Sequence, residues 1–294
     1  MEVKIFLGKE WADYELIDTG NFMKLEMFGK YVLIRPEPQA LWKPYLSDKE
    51  WNKIANGRFI QEGSHSGNWE VLKNFPERWY IQHKIKELEV KLRLARTKFK
   101  HIGIFPEQCL NWEFVSQQCN RLNNSLVLNL FAYTGAASVV AAKSGGKVTH
   151  IDSVKQVVSW ANENAQLNGI ENISWVIEDA LKFVKREVKR GKKYQGILLD
   201  PPAFGHGANG ERWQLEDMLN ELLGEVSELL DEWHNFFVIN CYSMGLSPVI
   251  LLNLLRENFN KKSLANLEFG ELCLQETGGG ERLLPLGIVG RFWN

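Results

Sequence analysis

Three carboxylates, Asp152, Asp179 and Asp200, follow the run Val127-Leu-Asn-Leu-Phe-Ala-Tyr-Thr-Gly-Ala-Ala-Ser138 at a spacing suited to nucleotide binding. Each closes or follows a short apolar run: Val148-Thr-His-Ile151, Ile173-Ser-Trp-Val-Ile177 and Gly196-Ile-Leu-Leu199. An acid at the tip of a second strand, about twenty residues past a glycine turn, is placed to bind ribose hydroxyls. Asp152, just before Ser153, stands seventeen residues after Gly135. The turn consists of Phe131, Ala132, Tyr133, Thr134 and Gly135, and leads into small residues that can start a helix. A strand that breaks at glycine and turns straight into a helix brings backbone N–H groups close to a ligand. The plainer readings are a solvated strand end for Asp152 and a helix N-cap for Asp179, which precedes Ala180-Leu-Lys-Phe183.

The glycine pattern narrows the ligand. A dinucleotide needs a second glycine so that its pyrophosphate can reach the backbone. Here a threonine takes that position. A ligand with ribose and adenine but no pyrophosphate, such as S-adenosylmethionine, suits the turn better, and a nicotinamide-dependent oxidoreductase is disfavoured.

Asp200, Pro201, Pro202, Ala203 and Phe204 form the second chemical motif. Consecutive prolines fix φ and remove two donors, so the loop is expected to be a stiff ledge with its carbonyls free. Such a ledge can hold a flat base in line with a methyl group, and a one-step displacement owes most of its rate to position. Phe204 offers a face on which any base can stack. The plain alternative is a proline turn with Phe204 buried. The following residues, 205–212, form a glycine-rich loop expected to order on substrate binding.

Elements must present these residues. After residue 126 strands and helices alternate, the mark of an α/β fold with a mostly parallel sheet and helices on both faces. Helices are expected at 136–144, 154–167, 179–190, 213–232 and 247–259. Residues 1–75 carry short β-like runs, such as Tyr31-Val-Leu-Ile-Arg35, between Gly and Pro punctuation, and read as a small β-rich N-terminal module. A strand is expected over residues 87–96, leading into a large domain over 76–294.

The run Asn129-Leu-Phe-Ala-Tyr-Thr-Gly135, with Asp200-Pro-Pro-Ala-Phe204, resembles the class I S-adenosylmethionine-dependent methyltransferases of the bacterial ribosomal-RNA type. It is similar to the large-subunit cytosine-C5 and guanine-N7 enzymes. His101-Ile-Gly-Ile-Phe-Pro-Glu-Gln108 resembles the family's approach segment, and the ending from Gly270 to Gly287 its last strands. The resemblance spans roughly residues 80–294. It implies a Rossmann-like, seven-stranded sheet, S-adenosylmethionine as methyl donor with S-adenosylhomocysteine as product, and a base of RNA, ribosomal RNA above all, as acceptor. It further implies that Glu107 and Gln108 lie over the methionine end of the cofactor, with Phe105 also binding it. Asp179 and Ala180 would meet the adenine, and Asp200 both cofactor and base. Cytosine-C5 members carry a cysteine near Cys241 that adds to C6 of the ring; they usually read Ser-Cys-Ser, where this chain reads Asn-Cys-Tyr-Ser. An unperturbed thiol titrates near ~8.5, and no neighbour of Cys241 is obviously activating. A structural thiol is the competing reading.

Composition excludes other classes. A net charge of −1 is unlike a protein held to nucleic acid by bulk attraction. The charges are uneven, however: residues 182–193 hold seven Lys or Arg against one Glu, and residues 84–100 seven against two. The second stripe is the better RNA candidate, since it leads toward the approach segment; the first reads as an exposed helix face. No apolar run nears the ~20 residues that span a bilayer, and the N-terminus lacks a signal-peptide order. The four cysteines are scattered without a C-x-x-C, so no metal and no disulfide framework is expected, and a cytoplasmic location follows. The N-terminal module has three open roles: gripping RNA, capping the cofactor, or building a homodimer. Rival functions are methylation of a small molecule or protein, and a non-catalytic RNA-binding module.

Overall fold

The computed structural model describes residues 2–8, 11–63, 66–206, 210–242 and 245–294. They form two compact units: Leu7–Cys109 with Cys273–Leu286, and Met1–Phe6 with Leu110–Leu272 and Gly287–Asn294. Strand β1 (Lys4–Leu7) opens the chain and joins the large sheet described below.

The smaller unit holds a five-stranded sheet in sequential order: β2 (Tyr14–Gly20), β3 (Met23–Phe28), β4 (Tyr31–Pro36), β5 (Gly57–Glu62) and β6 (Ser66–Val71). Its pairs are antiparallel except β4 with β5, which are joined through helix α1 (Asp48–Ile54). That helix escapes a periodicity reading because it is short and buries only Trp51. Its one local signal is the capping box of Ser47 and Glu50. Leu25, Ile34, Trp51 and Ala55 make the local core. On the same sheet Glu26 is fully buried, accepting from the Tyr14 hydroxyl (2.9 Å) and from Arg35 Nη2 (2.6 Å). Burial opposes its ionisation, but Arg35 and Lys24 outweigh that and hold the carboxyl below its ordinary value.

The hairpin β7 (Arg78–Ile85) and β8 (Leu88–Ala95) completes this unit. The residue-75 boundary expected from sequence therefore falls inside the unit, between β6 and β7. Aromatic packing is the reason: Phe75 lies 6.1 Å from Tyr31, 6.2 Å from Trp69 and 6.1 Å from Trp79, ring centre to ring centre. Residues from far along the chain also return here. The Thr277 and Gly278 amides donate to the Leu16 and Ile17 carbonyls, and Arg282 pairs with Glu276 (2.8 Å) and Asp18 (3.1 Å).

The larger unit begins with α2 (Cys109–Leu122), then alternates strands and helices: β9 (Leu126–Leu130), α3 (Ala136–Lys143), β10 (Lys147–Asp152), α4 (Lys155–Leu167), β11 (Ser174–Ile177), α5 (Ala180–Lys189) and β12 (Gly196–Leu199). A short hairpin follows, β13 (Phe204–His206) and β14 (Arg212–Gln214), then α6 (Leu215–Leu229), β15 (Phe236–Cys241), α7 (Pro248–Asn258), β16 (Glu268–Gln275) and β17 (Leu283–Trp293). Five helices stand where expected, except that 213–214 end a strand and 230–232 lie beyond the end of α6. Residues 207–209 of the expected loop lie outside the described residues. Helix α2 was not expected. Asn111, Ser116 and Gln118 are buried along with Trp112, Phe114, Val115 and Cys119, so it lacks the polar face that gives a helix its sequence signature.

The sheet order is β1-β16-β17-β15-β12-β9-β10-β11. It therefore has eight strands rather than seven, the extra one supplied by residues 4–7, which sequence assigned to the N-terminal module. Strands β15, β12, β9, β10 and β11 run parallel, and β17 pairs antiparallel with β15. From β9 the chain steps to β10 and β11 on one side, then returns to β12 on the other. The carboxyl ends of β9 and β12 thus flank a topological switch point, where such sheets bind ligands.

Candidate functional site at the switch point

Beyond Leu130 the backbone turns left-handed three times, at Phe131 (φ 56°), Tyr133 (φ 47°) and Gly135 (φ 80°). Glycine takes this conformation freely, but each non-glycine costs of order 1–3 kcal/mol and persists only where its surroundings impose it. The turn is tethered at every step. Ala132 N–H donates to the Ile151 carbonyl (3.0 Å), Tyr133 N–H to Asp152 Oδ2 (3.0 Å), and Asn164 Nδ2 to the Thr134 carbonyl (2.8 Å). A Cβ on Gly135 would lie 2.8 Å from Ala161 Cβ, so the turn presses directly on α4. Beneath it Asn129 Nδ2 donates to Ser138 Oγ (2.9 Å), which contacts His150 Nδ1 (3.0 Å). Burial drives the His150 pKa down to about 3, so its ring stays neutral.

Asp152 ends β10, its Oδ1 accepting from Val154 N–H (2.9 Å) while Oδ2 holds the turn. Burial pushes its carboxyl up, opposed by these backbone donors. Asp179 caps α5 by accepting from Lys182 N–H (2.9 Å), the N-cap role read as one alternative. Ser153 and Ala180 adjoin these two acids in the chain.

Asp200 follows β12, its N–H directed at the Leu130 carbonyl (3.4 Å). Pro201 is buried, Pro202 exposed and Phe204 65% exposed, so the buried-turn alternative for Phe204 does not hold. The free carbonyls expected of the ledge are corrected: the Pro202 carbonyl accepts from Trp213 Nε1 (2.6 Å) and that of Ala203 from Leu215 N–H (3.0 Å). A two-proline loop cannot donate to itself, and the returning chain supplies those donors, Trp213 from strand β14 and Leu215 from the start of α6. Trp213 is 5% exposed, and its ring lies 4.9 Å from Phe131. One side chain thus joins the ledge to the turn.

Cys241 is fully buried in the apolar cluster with Leu199, Ile239, Leu251 and Phe292. Burial, reinforced by the Asp200 charge, pushes its thiol upward. Phe105, Glu107 and Gln108 belong to the smaller unit. Glu107 and Gln108 are buried there; burial raises the Glu107 carboxyl, while Lys24 opposes.

The model of the S-adenosylmethionine-dependent methyltransferases matches residues 66–282, about three quarters of the chain. The chain belongs to this family. A methyltransferase of known structure from Agrobacterium tumefaciens is 37% identical, with a TM-score of 0.91 over 99% of this chain and 93% of that one. Another protein, crystallised with S-adenosylhomocysteine, shares the fold at 16% identity, with a TM-score of 0.70 over 97% of this chain and 76% of that one. Among curated relatives, the ribosomal RNA large subunit methyltransferase K/L of Shewanella frigidimarina is 35% identical over 149 residues, 49% of this chain. That match spans only 20% of the relative's length.

The methyltransferase is an enzyme whose methyl donor is S-adenosylmethionine, and its residues fit that group. A half-buried carboxylate at a strand end suits a vicinal diol, and a turn without a second glycine has no need to cradle pyrophosphate. Sequence reasoning missed Trp213, Asn164, Ser138 and His150, which act through space on the turn and ledge. Trp213 alone left a trace, an aromatic nine residues beyond Phe204. Trp213→Phe keeps the ring on Phe131 and loses the bond to Pro202. We expect a several-fold fall in kcat, unchanged S-adenosylhomocysteine affinity, and about 1 kcal/mol lost in denaturant melts. An unchanged kcat would show that the ledge needs no strap.

Proposed function

We propose that this enzyme methylates a base of ribosomal RNA, in the cytoplasm. The observation that carries the reading is Phe204, an aromatic face left exposed on a strapped proline ledge at the switch point. Asp152 would hold the ribose of the donor, with Ser153 beside it, and Asp179 and Ala180 its adenine. Backbone groups of Phe131, Ala132, Tyr133, Thr134 and Gly135 would meet the amino-acid end. S-adenosylmethionine supplies an electrophilic methyl on a sulfonium. Phe204, Pro201 and Pro202 would hold the accepting base on the ledge, and Asp200 lies at the same strand end.

The environment of Cys241 supports a route without a thiol adduct. A cytosine C5 becomes nucleophilic only after a thiolate has added at C6, and burial keeps this thiol protonated. An acceptor with its own lone pair, such as a ring nitrogen, needs neither adduct nor general base. It takes the methyl, becomes cationic, and loses no proton. Cys241→Ala is accordingly expected to retain kcat within about twofold while losing about 1 kcal/mol of stability to the vacated volume. Abolished turnover by a folded variant would restore the nucleophile.

Charge placement favours an RNA partner met through the hairpin of the smaller unit. Its exposed face carries Arg78, Tyr80 (59% exposed), Gln82, Lys84 and Lys91, with Glu89 opposite Lys84 and the buried Arg93 opposite Tyr80 in register. Cations around an exposed ring suit a single-stranded backbone and its bases. In the stripe at 182–193, Lys182 pairs with Glu211, Lys185 with Glu221 (2.5 Å), Arg186 with Glu178 (2.5 Å) and Arg190 with Glu187 (2.9 Å).

The test is transfer of labelled methyl to ribosomal RNA from cells lacking the enzyme, followed by nucleoside mass analysis. One methylated nucleoside on a ring nitrogen supports the proposal. Labelling of protein or small molecules with bare RNA overturns it.

A further inference from the structure

One buried polar side chain in the larger unit is left unexplained by the site described above. In β15, Phe237, Ile239 and Cys241 point into the apolar cluster, as do Ile197 and Leu199 of β12. Asp200 and Asn240 therefore project to the opposite face. The parallel register Leu199↔Ile239 carries them to adjacent positions at the carboxyl ends of neighbouring strands. Asn240 is 1% exposed, and neither its Oδ1 nor its Nδ2 has a hydrogen-bond partner among the described residues. Buried amides are almost always paired, and leaving both atoms of one unsatisfied is penalised in the folded protein. Room for the amide is also provided. A Cβ on Gly287 of β17 would lie 3.3 Å from Asn240 Nδ2 and 2.9 Å from the Cys241 carbonyl, so only glycine fits beside it without displacement.

An unsatisfied donor and acceptor, side by side at the end of the strand next to Asp200, are what a heterocycle edge would complete. We propose that the Asn240 amide hydrogen-bonds the accepting base held on the Asp200–Phe204 ledge, engaging an edge that presents a donor beside an acceptor. The inference rests on the RNA-base reading above and deepens it. The amide binds and orients the base; it moves no proton. Phe204 stacks on any base, so discrimination between bases falls to groups such as this one.

The experiment compares wild type with Asn240→Leu, which keeps the volume and removes both polar atoms. Three quantities are measured: kcat/KM for methylation of undermethylated ribosomal RNA, S-adenosylhomocysteine affinity by calorimetry, and Tm. The expected result is a fall in kcat/KM of about 10- to 100-fold, the range that a bidentate amide–base contact commands. Cofactor affinity should stay within about twofold, and Tm should hold or rise, because an apolar isostere leaves nothing unsatisfied. Wild-type kcat/KM in Asn240→Leu overturns the proposal and assigns the amide to an internal water. Should Asn240→Leu lose cofactor affinity, Asn240→Ser is read by the same criteria. If wild type leaves the RNA unmethylated, the RNA reading fails and Asn240 is judged separately. Protein labelled with ¹⁵N-asparagine and saturated with S-adenosylhomocysteine is titrated with the four ribonucleoside monophosphates. Movement of the Asn240 side-chain resonance, assigned by its loss in the variant, supports the contact; no movement with any of the four overturns it.

Discussion

Asp152→Ala is expected to weaken S-adenosylhomocysteine binding by about 100-fold or more in calorimetric titration. Two contributions add. The proposed bonds from ribose hydroxyls to a carboxylate are charge-assisted, each worth roughly 1.5–3 kcal/mol. The same carboxylate also tethers Tyr133 N–H, whose residue sits in a left-handed conformation it would otherwise leave. Asp152→Asn separates the two, since an amide keeps an acceptor for Val154 or for Tyr133 but loses the charge. Its affinity should fall between wild type and the alanine variant. A pH dependence follows. Burial raises the Asp152 carboxyl above its ordinary value, so it takes up its proton at a higher pH than a solvated aspartate. Affinity should therefore decline as the pH falls through that raised pKa, beginning above the usual aspartate range. The linkage to stability has the opposite sense. The folded form binds the proton more tightly than the unfolded one, so Asp152 favours folding at low pH, and that contribution is lost as pH rises through the folded pKa. Wild-type affinity in a folded Asp152→Ala protein would remove Asp152 from the cofactor site.

The second large effect is at Phe204. Base stacking on an aromatic side chain is worth about 1–3 kcal/mol, so Phe204→Ala should lower kcat/KM for RNA by roughly 5- to 150-fold. Because the ring is exposed and joins no apolar cluster, the loss should leave Tm and S-adenosylhomocysteine affinity unchanged. Phe204→Tyr and Phe204→Trp should retain most activity, since each keeps a stacking face. A Phe204→Ala enzyme with full kcat/KM, or an inactive Phe204→Trp enzyme, would contradict the stacking role. The Trp213 and Asn240 variants interpret this result: Trp213 holds the ledge, Asn240 is proposed to read the base, and Phe204 to support it without discrimination.

The legible parts of the molecule are those where the chemistry is local in the chain. The glycine turn, the three acids at strand ends, the proline ledge and five of the helices all carry their signal within a few residues. Helix α2 carried too weak a one, because burial on nearly every side erased its polar face. The boundary near residue 75 misplaced the hairpin, because aromatic contacts between Phe75, Tyr31, Trp69 and Trp79 outrank a loop-like composition. Residues 4–6 and 273–286 likewise join units far from their sequence neighbours, which is a matter of tertiary pairing rather than propensity.

By itself, then, the sequence determined the fold class, the methyl donor and the residues at the tips of the strands, since each depends on short-range pattern. Tertiary structure alone decided how those residues are held and exposed. It straps the ledge through Trp213, ties the turn through Asn164 and Asp152, leaves Phe204 open, buries Cys241, and sets Asn240 beside Asp200 with its amide unsatisfied. The physical reason is that burial and hydrogen-bond satisfaction belong to groups distant in the chain and adjacent in space. Apart from the aromatic residue at position 213, those contacts left no trace in the local sequence.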